Sequence, residues 1–121
     1  MKIKTMATTA ILVAGLSWNT VAYAAENYKF ATCDGATHYL SDKHTNTSVV
    51  SEVFHTTETN DFTILISFRK HYEANYPDFT SSGTCYVWDY KTEREAKDSR
   101  NDKIASAKSN DFNVVTTLWS Y

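Results

Sequence analysis

Glycine and proline are scarce in this chain of 121 residues, with three glycines and one proline. A Gly-rich phosphate cradle needs several glycines within a few residues so that backbone N–H groups can close on an anion. Gly15 lies in an apolar N-terminal run, and the remaining two, Gly35 and Gly83, read as turn formers, so that class of site is excluded. Basic residues are not in excess either: 12 Lys and Arg stand against 14 Asp and Glu, a net charge of −2. Without a basic stripe to neutralise phosphates, nucleic acid is not an expected partner. No Gly-x-Ser-x-Gly occurs, and Ser67-Phe68-Arg69-Lys70 matches Ser-x-x-Lys by letters alone, since Ser67 falls inside a strand-like alternation rather than at a helix start. His38, His44 and His55 lie near Asp34 and Asp42 with spacings that fit no standard zinc pattern. Glu52, Glu58, Glu73 and Asp78 offer carboxylates for hydrolysis, but nothing in the sequence buries one beside a charge. The expectation is a non-enzymatic protein with no cofactor and no metal.

What is present begins with an address. Met1-Lys2-Ile3-Lys4 is a short basic opening, residues 6–16 are apolar apart from threonines, and Ala22-Tyr23-Ala24 is a small-x-small cleavage pattern. The run is too short to span a bilayer comfortably. Residues 1–24 therefore read as a signal peptide and residues 25–121 as a single exported domain, with no stable membrane insertion after cleavage. In such a compartment two cysteines most often pair with each other, so a Cys33–Cys85 disulfide is expected. Closing a loop of roughly fifty residues stabilises a fold by about 4 kcal/mol in the chain-entropy model.

The mature stretch reads as α+β: a mostly antiparallel twisted sheet with one main C-terminal helix packed on one face. Residues 27–33 read as a first strand with Tyr28, Phe30 and Thr32 on one side, Asp34-Gly35 as a two-residue hairpin turn, and residues 36–40 as the returning strand. Residues 48–56 are β-branched and aromatic enough for another strand. In residues 62–69, Phe62, Ile64, Ile66 and Phe68 alternate with Thr63, Ser67 and Arg69, the clearest strand pattern in the chain. Residues 84–90 also alternate, with Cys85, Val87 and Asp89 on one face and Tyr86, Trp88 and Tyr90 on the other. Three aromatics on one face need cover. Thr92-Glu93-Arg94-Glu95 supplies it as a capping box opening a helix to about residue 108, with a thin apolar stripe at Ala96, Ile104 and Ala107 and with Arg100 on the same line. Residues 112–121 close the chain as a strand.

Between two strands, residues 71–83 show no periodicity and hold the sole proline, so they read as a long loop. Tyr72, Glu73, Tyr76, Asp78 and Phe79 give it the tyrosine-and-carboxylate composition of a protein-binding surface. The alternative reading is that its rings pack back over the sheet edge.

With the export signal, Cys33-Asp34-Gly35, Cys85 and the closing strand–helix–strand together, the chain resembles the small periplasmic immunity proteins of type VI secretion systems. It is most similar to immunity partners of VgrG-type effectors carrying a peptidoglycan-hydrolase, muramidase-like domain. It is also similar in outline to periplasmic inhibitors of C-type lysozyme. Tyr28 lies too far from Cys33 to match the opening element of those inhibitors, and Ser82-Gly83-Thr84-Cys85-Tyr86 only partly echoes their later one, so no inhibitory residue is carried over. The resemblance implies a periplasmic protein that binds and blocks a cell-wall hydrolase effector. A secreted ligand- or surface-binding module and a toxin-like enzyme are the alternatives, and a second copy of the chain remains open as a partner.

Overall fold

A computed structural model describes residues 27–38 and 44–121; the expected signal peptide and Asp42 lie outside them. The elements in chain order are β1 (Asn27–His38), β2 (His44–Val50), β3 (Phe54–Thr56), α1 (Asp61–Asn75), β4 (Phe79–Tyr90), α2 (Glu93–Ser109) and β5 (Asn113–Thr116). The fold class is the expected α+β. β1 is central, with β4 antiparallel along one side and β2 and then β3 antiparallel along the other; β5 extends the sheet by pairing parallel with β2. Parallel pairing requires a crossover, and α2 together with the outward run of β4 provides it.

The strand alternation in β1 sorts the two faces. Phe30 and Thr32 point toward α2, while Lys29, Ala31 and Cys33 point toward α1. On the α2 side Phe30 stacks with Trp88 (ring centroids 6.4 Å apart) and Tyr90 (6.2 Å), so the aromatic face read from the sequence is covered as expected. Thr92 caps the covering helix, its side chain accepting from Glu95 N at 3.1 Å. Ala96 is buried against the sheet, Tyr90 Oη meets Ser99 Oγ, and Arg100 Nε donates to Ser51 O at 2.7 Å. On the other face Ala31, Cys33, Val49, Phe68, Tyr72 and Phe79 form one buried cluster, with Leu65, Tyr76, Cys85, Val115 and Trp119 packed against it. Burying side chains of this size contributes about 1.5–3 kcal/mol each for the larger ones.

Three local expectations are corrected. Residues 62–69 are helical, not a strand. Asn60 caps α1 through its Oδ1, which accepts from Phe62 N at 3.0 Å, and Asp61 places an acid in the first turn. Ile64, Phe68 and Tyr72 lie four residues apart and are the buried side of α1, whereas Phe62 is 69% exposed and Ile66 38%. The alternation is present in the letters, but the helical period is the one that buries area. Asp34-Gly35 is not a turn, because β1 runs straight through it. Opposite, β4 carries a bulge: Asp34 pairs with Thr84 but Gly35 pairs with Ser81, leaving Ser82 and Gly83 (φ +92°) out of register. A Cβ on Gly35 would lie 2.1 Å from Thr80 O, so this glycine permits close approach of two strands rather than a tight bend. Finally, the closing strand is only Asn113–Thr116; residues 117–121 continue as an irregular strap held by Thr117 N donating to Val50 O (2.9 Å) and Glu52 N donating to Trp119 O (3.2 Å).

The long β2–β3 line is broken at residues 51–53. Ser51 is fully buried there, yet each of its polar groups is bonded. Its N donates to Ala31 O (2.9 Å), its Oγ accepts from Ala31 N (2.8 Å) and donates to Glu52 O (2.8 Å), and its O accepts from Arg100. The break is therefore a satisfied bulge rather than a defect.

Cys33 and Cys85 are direct cross-strand partners, and they form the disulfide. The bond fits an oxidising, exported compartment. Among the described residues no helix is long and apolar enough to cross a membrane.

Candidate functional site

The expected loop at residues 71–83 is a corner between α1 and β4. It shows no periodicity because it spans a helix end, a turn and a strand start, each with its own repeat. Pro77 sets the boundary, since the residue before a proline is driven out of the helical region; α1 ends at Asn75, with Tyr76 as its C-cap. Tyr76 N donates to Tyr72 O (2.7 Å), Phe79 N to Tyr76 O (3.0 Å) and His38 N to Asp78 O (2.9 Å). The last bond ties the corner to the far end of β1, so the segment is fixed at both ends.

The five residues expected to contact a partner divide. Tyr72 is 3% exposed and Phe79 6%; the Tyr72 ring meets Phe68 and Phe79 edge to face, at 5.5 Å and 5.2 Å. These two hold α1 to the sheet, as the packing alternative has it. Glu73 and Asp78 remain at the surface; Tyr76 is half-buried, packed on one side against the core cluster and edge to face with His71 at 6.2 Å. Glu73 makes an exposed contact with Arg69 at 3.6 Å, one helical turn away, which contributes well under 1 kcal/mol. Hollows flank the corner. One of about 250 Å³ runs between Tyr76, Asp78 and the β2–β5 edge, and a wider one of about 600 Å³ lies between Arg69, Glu73 and Cys85.

The remaining candidates do not converge. Ser67 sits in the middle of α1, so its match to Ser-x-x-Lys fails on placement within a helix rather than within a strand. Glu58 is a structural acceptor, taking Asn60 N (2.9 Å) and Tyr121 Oη (3.2 Å). Partial desolvation and, after it, the hydrogen bond and charge of this carboxylate raise the exposed Tyr121 hydroxyl above its usual range. His55 stacks on Tyr28 with centroids 4.2 Å apart. Among the described residues no three His, Cys, Asp or Glu side chains come together as a metal site.

Two features were not singled out in the sequence. Lys29 is buried beneath the start of α1, its Nζ 2.9 Å from Asp61 Oδ1 and 3.7 Å from Asp89 Oδ2. Its parity with Ala31 and Cys33 on an inward face was the available signal. His71 forms the other: its Nδ1 accepts from Asn75 Nδ2 (3.2 Å), so its Nε2–H donates to Thr117 Oγ1 (2.5 Å), and its ring lies on Trp119. This arrangement clips the C-terminal strap to α1, and burial lowers the His71 pKa from 6.5.

Comparison of the chain with family models, with curated proteins and with solved structures returned no match.

Proposed function

We propose that this chain is a periplasmic, non-enzymatic immunity protein that binds and blocks a peptidoglycan-degrading, muramidase-like effector. The observation that carries the reading is the fixed corner at the end of α1. It presents one tyrosine and two carboxylates, Tyr76 with Glu73 and Asp78, on a backbone held by hydrogen bonds to both α1 and β1. An anchor ordered before binding loses little further entropy when it docks, which is where affinity is usually lost. Acidic groups around an aromatic anchor complement the basic rim of a muramidase cleft and speed the encounter. The disulfide supports residence in an oxidising compartment, and in bacteria that is where wall hydrolases act.

The test is inhibition. Protein purified after export is mixed with muramidase-like effector domains, and clearing of a peptidoglycan suspension is followed alongside calorimetric binding. Stoichiometric inhibition is expected. Tyr76→Ala should weaken binding by the folded protein by at least about 2 kcal/mol, roughly thirtyfold, beyond the modest fall in melting temperature that loss of its half-buried packing brings. Undiminished clearing in molar excess of the protein, with no heat of binding, would refute the reading. Lost stability with retained affinity in Tyr76→Ala would remove the corner as the contact.

A further inference from the structure

On the opposite face from the corner, α2 and the sheet part company. The line of α2 that meets the sheet carries Ala96, Ser99 and Arg100 in its first half, all in contact with β-strand atoms or close above them. The same line continues as Lys103, Ser106, Ala107 and Asn110. Small and polar side chains cannot fill the space over the sheet, and a cleft of about 280 Å³ remains between them and Asp34, Ser48, Tyr86 and Trp88. Its volume lies just below the range of about 300–1,000 Å³ for drug-sized sites and suits a single ring-sized guest.

Two polar side chains in this cleft, Ser48 and Asp34, are not used by the fold. Ser48 is 5% exposed, and among the described residues its hydroxyl has no hydrogen-bond partner. Buried hydroxyls are almost always bonded, so one left open toward a cavity calls for an explanation. The Asp34 carboxylate likewise has no donor among the described residues; only its backbone O is engaged, by Ser82 Oγ at 3.0 Å. Tyr86 is 53% exposed beside Trp88, with ring centroids 5.5 Å apart. Trp88 itself is held in place, its Nε1 donating to Thr32 Oγ1 at 3.0 Å.

We propose that this cleft is a carbohydrate-binding site for one neutral pyranose unit, with Tyr86 as the stacking platform and Asp34 and Ser48 as hydrogen-bond partners for its hydroxyls. The charge pattern selects against the other ring-sized guests. The Asp34 carboxylate lines the cleft without a partner of its own among the described residues and disfavours an anion beside it. A cation is disfavoured because the chain supplies its own: Lys103 Nζ sits 3.7 Å from the centre of the Trp88 ring. What remains is a neutral guest rich in donors, with an apolar ring face for tyrosine and hydroxyls for the carboxylate. This site is independent of the inhibitor reading, since it uses other residues on the other side of the sheet.

The experiment is an NMR titration of the exported, ¹⁵N-labelled full-length mature protein with glucose and with N-acetylglucosamine, following the indole N–H signals of Trp88 and Trp119. Glycine and tetramethylammonium serve as zwitterionic and cationic probes. A saturable shift of the Trp88 signal by at least one sugar, with Trp119 unmoved, is the expected result. Tyr86→Ala, a change at an exposed ring, should weaken that binding about tenfold or more without altering the fold, and Ser48→Ala should weaken it too. The proposal is overturned if neither sugar saturates the shift, if glycine or tetramethylammonium binds more tightly than both sugars, or if Tyr86→Ala binds as well as the parent. No hydrolase enters the assay, so its outcome is separate from that of the inhibition test.

Discussion

Removing the two carboxylates around Lys29 should destabilise the protein far more than removing the lysine. The Lys29 side chain is 4% exposed, whereas those of Asp61 and Asp89 are 49% and 43% exposed. In Asp61→Ala/Asp89→Ala the ammonium stays buried without a counter-charge, and stranding a charge in that way costs about 3–5 kcal/mol. Losing an acid from the first turn of α1 adds about 0.3–1 kcal/mol. In Lys29→Met both carboxylates turn to water, the lost ion pair is worth about 0–1 kcal/mol, and the methionine fills much the same volume, so the total stays below about 1.5 kcal/mol. For a domain of this size each kcal/mol moves the melting temperature by about 4–8 °C. The double alanine variant should therefore melt at least about 12 °C below the parent, and Lys29→Met within about 12 °C of it. Thermal unfolding at neutral pH, monitored by circular dichroism, measures both. A Lys29→Met variant less stable than the double variant would refute the reasoning, because it would mean that the ammonium is not the desolvated partner.

Other outcomes follow from single contacts. The native protein should weigh two hydrogens less than its reduced form, and Cys33→Ser should lower stability by about 4 kcal/mol, the chain-entropy value for a separation of 52 residues; two alkylatable thiols before reduction would contradict the pairing. Gly35→Ala should lose about 1–3 kcal/mol, since the new Cβ meets backbone rather than a yielding side chain; unchanged urea midpoints would show that the β4 bulge can shift aside. His71 has a folded pKa below 6.5, so the unfolded chain binds its proton more tightly: its contribution is complete above that pH and declines as the pH falls through the lower folded value. Between pH 7 and 5 the parent should therefore lose stability that His71→Gln does not lose, and parallel pH profiles for the two would remove His71 as the clip on the C-terminal strap.

The parts of the fold that were legible in the sequence are those where one signal has no rival. Thr92 stands at a helix start that no competing period overlaps, and its half of the capping box forms, Glu95 N donating to Thr92 Oγ1. Tyr86, Trp88 and Tyr90 alternate beside a helix whose N-cap lies two residues later, so strand and cover were both apparent. At residues 62–69 two periods coexist in the same letters. Phe62 and Ile66 complete the alternation, but Leu65, Tyr72 and the Asn60-Asp61 start complete a helix, and the helix wins because its buried line extends across three turns to Tyr72. Weighing the cap at Asn60 against the alternation was the available correction. Asp34-Gly35 carries the composition of a hairpin turn, and composition does not distinguish a bend from a close approach. Only the β4 bulge facing it, a long-range feature, decides between them.

The same distinction explains why the contact surface was only half legible. Tyrosines beside carboxylates mark a binding segment when the segment is a loop, yet here α1 extends to Asn75 and turns every fourth ring inward. Tyr72 follows Phe68 into the core, while Tyr76, one turn further and just past the helix end, lies at its margin. The surface that remains is smaller than the sequence suggests but more rigid, because the buried tyrosine holds the helix from which the exposed groups project. The cleft under α2 arises from the opposite circumstance. There the helix continues for nine residues beyond Arg100; on its inner line Lys103 reaches over to Trp88, but Ser106 and Ala107 are too small to reach the sheet. The thin apolar stripe of this capped helix covers the sheet in part, and the part left uncovered is where the sheet places its free hydroxyl and carboxylate.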